Sequence, residues 1–393
     1  MERNFILFDT PVRDLLYPFT HTRPIAACRV GILTIQEKWE HWLGSGVSYF
    51  TVPHLQAKYP LYLGQEDSVN VLISGNILPD EHLVAAINAL SPEEELYADN
   101  RLIAKVVLGK DVHLLPASAR KNYSGQVLGI HHPWDIFALN DKAIRQDFDL
   151  LTKGRTSAPI PEGNQVIQPE SIFLEPGATV LCSVLNASTG PIYIGKDAIV
   201  MEGNLIRGPF AMGEKAVLKM GSKVYGATTL GPYCTGGGEI KNTVMFGYSN
   251  KGHEGYIGDA VIGEWCNLGA GTNCSNLKNN ASPVRIWMES QANEVAAGNK
   301  CGLLMGDYSR SGIGTNFNTG TVIGVSCNIF GGLMPPKFLT SFTWGQAEGN
   351  GRYRREEAWR DIVSWMKMKN QAPHPADEAI LHAVYDQTDK QIL

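Results

Sequence analysis

The chain has 393 residues, long enough for two domains and a large core. Its 44% hydrophobic and 19% charged residues give a formal net charge of −5, which excludes the basic excess of a nucleic-acid binder. No apolar run reaches transmembrane length and no signal peptide opens the chain, so a cytoplasmic protein with no membrane partner is expected.

Residues 1–152 read as an α/β domain. Asn4 to Phe8 and Val71 to Ser74 are short buried strands, His82 to Leu90 is an amphipathic helix, and Leu102 to Leu108 is a third strand. The run from Leu16 to Pro24 (LYPFTHTRP) resembles the L-x-P-L-T-x-x-x-P-K-P signature of sugar-nucleotide transferases. Val71-Leu72-Ile73-Ser74-Gly75-Asn76 resembles the strand that ends in Gly-Asp in those enzymes. Two departures stand beside the resemblance. Such enzymes cradle phosphates with G-x-G-T-R, whereas this chain has no glycine before Gly31. Asp9-Thr10-Pro11-Val12-Arg13 fills that turn, with a proline that removes an N–H donor and an aspartate near the expected phosphates. The carboxylate that binds Mg²⁺ is replaced by Asn76, a weak ligand for a hard cation, so Mg²⁺ is a poor fit. Arg13, Arg23, Asn76 and Asp135 remain as candidates for a sugar or nucleotide site. Asp135 follows His131-His132-Pro133-Trp134, read as an interdomain loop because adjacent strand histidines point apart.

Lys153 to Gln165 is rich in Pro, Gly, Ser and Thr and opens a linker over 153–168. From 169 to 335 the texture changes. Ile194, Val200, Ile206, Met212, Leu218, Val224 and Leu230 are six apart, and Ile262 and Leu268 repeat the step. A period of six suits neither an amphipathic helix nor an alternating strand. It suits a parallel β-helix, where three six-residue units make one coil and the apolar residue points inward. The seven cysteines (Cys28, Cys182, Cys234, Cys266, Cys274, Cys301, Cys327) are odd in number and form no C-x-x-C, so no metal site and no disulfide framework is expected.

Within the repeat lie Glu239-Ile240-Lys241, then His253-Glu254-Gly255-Tyr256-Ile257-Gly258-Asp259, then Asn267-Leu268-Gly269-Ala270-Gly271-Thr272, and Asn276. A lone imidazole among lysine, tyrosine and asparagine suits proton removal from an amine. The same residues also fit a structural histidine in a Gly-rich turn. With the period, they resemble the left-handed β-helix acyltransferases, in particular the C-terminal domain of the bifunctional N-acetylglucosamine-1-phosphate uridyltransferase/glucosamine-1-phosphate acetyltransferase family. That family carries E-x-K, H-x-x-Y-I-G-D-x-x-I-G, N-I-G-A-G-T and a late Asn, and it has the same domain order. The resemblance implies a left-handed β-helix, acetyl-CoA as acyl donor, and a sugar phosphate or nucleotide sugar as partner. It implies His253 as general base, Lys223 and Lys241 as phosphate ligands, and Tyr256, Asn267 and Asn276 as orienting groups. It also implies a homotrimer, because one β-helix offers only half of a cleft. Lys223 replaces the arginine of the family, a point charge for a planar fork. Asn276-Leu277-Lys278-Asn279 replaces the family's Asn-Tyr-Asp-Gly, and Ser282 stands where it has a lysine, which points to a different acceptor.

Residues 336–393 lose the hexad and read as two helices. Arg354 to Lys369 carries Trp359, Ile362, Val363 and Met366 on one face, and a second helix runs from about Ala376 to Gln387. Arg352, Arg354 and Arg355 read as a solvated face, with contact to CoA phosphates as the sharper alternative. Three functions stay open: acetyl transfer by the β-helix, nucleotidyl transfer with the β-helix as an oligomerisation and regulatory module, and nucleotide-sugar binding without catalysis.

Overall fold

A computed structural model describes residues 3–63, 68–109, 119–345 and 351–392. The apolar run Arg3–Phe8 forms the second strand of a six-stranded sheet. It pairs in parallel with Ser48–Phe50 and with Val69–Ser74. Arg101–Leu108 runs antiparallel beside Val69–Ser74, followed outward by Glu94–Ala98 and Ala119–Asn122. Helix Ile35–Leu43 starts at a full capping box, with Thr34 Oγ1 accepting from Glu37 N and Glu37 Oε2 accepting from Thr34 N. Helix Glu81–Asn88 is capped by Asp80.

From residue 165 the chain coils into a parallel β-helix. Its first face stacks Ile172–Leu174, Ile192–Ile194, Phe210–Met212 and Thr228–Leu230 in register, and continues to Phe338–Leu339. The second face runs from Thr179–Val180 to Asn328–Ile329. The third starts at Gln165–Ile167 and passes through Val184–Asn186, Leu205–Arg207 and Lys223–Tyr225. The hexad residues Ile194, Val200, Ile206, Met212, Leu218, Val224 and Leu230 all enter one interior cluster, each at most 2% exposed. The six-residue period thus records one flat side per unit.

The pattern breaks where the coil does. Ile194, Met212 and Leu230 stack at intervals of 18 residues, but 43 residues separate Ile262 from Met305 on the same face. The excess leaves the coil as an antiparallel hairpin, Arg285–Met288 with Asn293–Ala296. Its Val284, Ile286 and Met288 join the core of the N-terminal domain, as do the outward residues Val244, Val261, Leu304 and Val322 of the first face. One apolar core therefore spans both units.

Helix Asn140–Thr152 lies across the upper first face, with Ile144 packed among Phe173, Tyr193 and Ala211. Its buried Asp147 pairs with Lys38 and accepts from Ile32 N and Leu33 N. Helices Arg355–Met368 and Asp377–Ile392 close one edge of the β-helix. Ala358, Ile362 and Met366 pack there with Trp265, Tyr308 and Phe342. The arginine cluster divides between two roles. Arg352 lies 3.6 Å above the Tyr385 ring and donates to its carbonyl, Arg355 pairs with Glu356 and with Asp386 of the second helix, and Arg354 pairs with Glu357 at the surface. No described helix is long and apolar enough to cross a membrane.

Candidate functional site

The third face of the β-helix gathers most of the motif. Val224, Ile240 and Ile257 point inward, so alternation sends their neighbours outward. Two outward columns result. Lys223, Glu239 and Tyr256 stack in one, and Tyr225, Lys241 and Gly258 in the other. Tyr225 Oη donates to Glu239 Oε1 at 2.6 Å, and that bond, helped by burial, pushes its phenol pKa up to about 12. The Tyr256 phenol lies across Gly258, where a Cβ would meet its oxygen at 2.2 Å, so any side chain there would displace the phenol. Burial, reinforced by the Asp259 carboxylate, raises the Tyr256 pKa, and the phenol stays a neutral donor.

Asp259 organises the cluster. It is 5% exposed and accepts from Asn242 Nδ2 at 2.7 Å and from Asn276 Nδ2. Lys241 Nζ lies 3.6 Å from its Oδ2. One buried carboxylate thus fixes both a cation and an amide at the surface, so that neither has to be ordered when a ligand arrives. Read along the chain, Asp259 was only a letter of the motif; its role depends on partners one coil above and one below. Arg207 also escaped sequence reading. It is exposed in the coil before Lys223 and lines, with Leu205, Lys223 and Tyr225, an open groove of about 420 Å³. Arg207 and Lys241 flank Tyr225 in one outward column and Lys223 stands in the other, three cations on one face able to hold a phosphate by charge-assisted bonds.

His253 stands at the turn between the second and third faces, three residues before Tyr256, with its side chain exposed. Lys223, Lys241, Tyr256 and Asn276 share the face that this turn leads into. Asn267 does not. It points outward from the second face, stacked between Asn250 and Arg310, and its Oδ1 accepts from Asn250 Nδ2 at 3.4 Å.

A second cavity, of about 270 Å³, opens at the carboxyl ends of Arg3–Phe8 and Val69–Ser74. This is where open α/β sheets bind ligands. Phe8, Thr10, Pro11, Ile77, Arg101 and His131 are among its walls. Of the four N-terminal candidates only Asn76 lines it. Asn76 Nδ2 donates to Ile130 O at 3.2 Å, so the side chain braces the chain just after strand Leu128–Gly129. Arg13 turns to Thr20 O, Tyr17 Oη and Asp9. Asp135 caps its own turn, accepting from His131 N and His132 N. Arg23 leaves the domain altogether, buried against Asp307 and Glu264 of the β-helix. Burial opposes its charge, but the Asp307 and Glu264 carboxylates outweigh that and raise its pKa. The lysine of the P-K-P signature falls on Ile25, which is fully buried. Asp9 does not face the cavity as a bare charge either, since it accepts from Ile25 N and Thr51 Oγ1. Among the described residues no group of three His, Cys, Asp or Glu is placed to hold a metal ion.

Comparison with known proteins places these two sites in context. Residues 5–156 match the family model described as sugar nucleotidyl transferase. The Bifunctional sugar-1-phosphate nucleotidylyltransferase/acetyltransferase of Sulfurisphaera tokodaii is 25% identical over 286 residues, 70% of this chain and 64% of the relative. The Bifunctional protein GlmU of Methanococcus maripaludis is 26% identical over 198 residues, 50% of this chain and 41% of the relative. That of Methanocaldococcus jannaschii is 31% identical over 106 residues, 27% of this chain and 26% of the relative. The chain thus spans between about a quarter and two thirds of these relatives' lengths. Residues 5–156 are similar to sugar nucleotidyl transferases, and 70% of the chain is similar to a bifunctional nucleotidylyltransferase/acetyltransferase.

Proposed function

We propose that this protein transfers an acetyl group from acetyl-CoA to the amine of an amino-sugar phosphate or nucleotide sugar on the third face of its β-helix. One observation carries the reading: Lys241 and Asn276, held by buried Asp259, stand with Lys223 and Tyr256 on the face beside the turn that exposes His253. In this scheme Arg207, Lys223 and Lys241 hold the phosphate, while Tyr256 and Asn276 direct the sugar. The amine nitrogen attacks the thioester carbonyl, forming the C–N bond, and its proton passes to the His253 imidazole. The tetrahedral intermediate collapses by breaking the C–S bond, and CoA leaves as thiolate and takes up a proton. The assay is acetyl-CoA with glucosamine 1-phosphate and related amino-sugar phosphates, read as release of free CoA thiol. No thiol release with any of them would sink the proposal.

The third face is open, and we place the acyl donor between it and a second copy, in a cytoplasmic homotrimer with closed rotational symmetry. Light scattering is expected to give three times the 43.0 kDa chain mass. A stable monomer at micromolar concentration would remove the shared cleft.

Nucleotidyl transfer is the second reading, favoured by the family match over residues 5–156 and by the cavity at the strand ends. Asn76, Ile25 and the glycine-free turn weigh against efficient chemistry there. Pyrophosphate release from a nucleoside triphosphate and a sugar 1-phosphate by the full chain is expected to be weak or absent and unresponsive to Mg²⁺. Robust Mg²⁺-dependent release would overturn this expectation and make the N-terminal cavity an active site.

A further inference from the structure

The second face of the β-helix holds an anomaly beside the proposed base. Its inward column runs Val200, Leu218, Gly236 and Lys251. A Cβ at Gly236 would meet Leu230, Leu218 and Ile240, so the column faces the apolar interior. Lys251 stands in this column at 2% exposure. Burial presses its ammonium pKa down to about 8, opposed by Glu254. A lysine there is costly unless its donors are used.

They are used on the backbone. Lys251 Nζ donates to Gly237 O at 3.1 Å and to His253 O at 2.6 Å. These carbonyls belong to successive turns between the second and third faces. The same two turns are otherwise joined by Glu239 N to Gly255 O at 3.2 Å, and the His253 turn is joined to the following coil by Gly271 N to Glu254 O at 3.0 Å. The turn has no slack further on, since a Cβ at Gly255 would lie 2.1 Å from Thr272 O. A lysine ammonium offers three donors in no fixed plane and can bridge two carbonyls whose directions differ.

We propose that Lys251 is a positioning residue, an internal strut that ties the turn carrying His253 to the coil before it and so sets where the imidazole points. Its catalytic consequence rests on the acetyl-transfer reading; its structural half does not.

The test is Lys251→Met in the full chain. Methionine suits the apolar column and removes only the donors. The thermal midpoint is expected to be no lower than that of the wild type, because a desolvated charge is gone. Hydrogen exchange of the amides at 253–255 should rise by roughly tenfold or more, as expected for a turn that opens locally, while the stacked strands stay protected. With acetyl-CoA and glucosamine 1-phosphate, kcat should fall roughly 10- to 100-fold with KM within about twofold, the signature of a misplaced catalytic group. Lys251→Gln, which keeps one amide donor group, should fall between. Unchanged exchange at the turn, or full kcat in an active preparation, overturns the strut. Failure of both variants to fold also overturns it, by making Lys251 a determinant of the coil itself. A wild type that acetylates no amino-sugar phosphate instead defeats the proposed function, and the exchange measurement still decides the role of Lys251.

Discussion

His253→Ala is expected to lower acetyl transfer by roughly 10²- to 10⁴-fold, the usual contribution of a general base, with CoA binding little changed. The side chain is exposed at a turn and belongs to no inward column, so the β-helix should keep its thermal midpoint. Lys241→Ala should behave differently. It removes the proposed phosphate ligand, a cation that Asp259 holds in place, so its effect should appear mostly in the KM for the acceptor. The two variants thus separate proton transfer from binding at residues one coil apart. Full activity in the His253 variant with a good acceptor would make the imidazole structural and would withdraw the roles proposed for its neighbours.

The largest loss of stability is expected from Asp307→Ala. Asp307 Oδ2 accepts from Thr22 Oγ1 and Arg23 Nη2, and its Oδ1 accepts from Glu264 N at 2.7 Å. Arg23 is 3% exposed, so removing Asp307 strands a guanidinium that keeps Glu264 as its remaining carboxylate among the described residues. Breaking a buried pair on one side costs about 3–5 kcal/mol. Urea denaturation should show that loss in the single variant. Arg23→Met combined with Asp307→Leu should recover much of it, because no bare charge remains. A single variant within about 0.5 kcal/mol of wild type, the range of ordinary surface substitutions, would mean that this tie between the domains is energetically idle.

These residues also mark what could be read from the chain alone. The stacked columns were legible because a β-helix writes its geometry locally: one inward residue per six, at Ile194 through Leu230. The outward column of Lys223, Glu239 and Tyr256 was not, because the inward residues Val224, Ile240 and Ile257 beside it are 16 and 17 residues apart and leave the six-residue register. Legibility ended where partners are far apart in sequence. The N-terminal signature drew Arg23 toward a sugar or nucleotide site, but its carboxylate lies 284 positions away in another domain. Asn267 was grouped with the other motif residues, yet the coil turns between it and Asn276 and places them on different faces. Lys251 breaks the apolar pattern, and a pattern search passes over the charged residue that the fold takes inside. The hairpin Arg285–Met288 with Asn293–Ala296 has no hexad register, because its apolar residues answer to a different core.

That shared core has a consequence for the order in which the chain is made. Leu16, Ile25, Val71 and Ile73 are cored together with Ile286, Met288, Leu304 and Val322. On a ribosome the first group emerges long before the second. The N-terminal sheet must therefore wait, with part of its apolar surface unburied, until most of the β-helix and its hairpin have been synthesised and folded back against it. Such long-range closure is slow and leaves a nascent sheet exposed to aggregation. Folding of the first domain is thus completed from the carboxyl side.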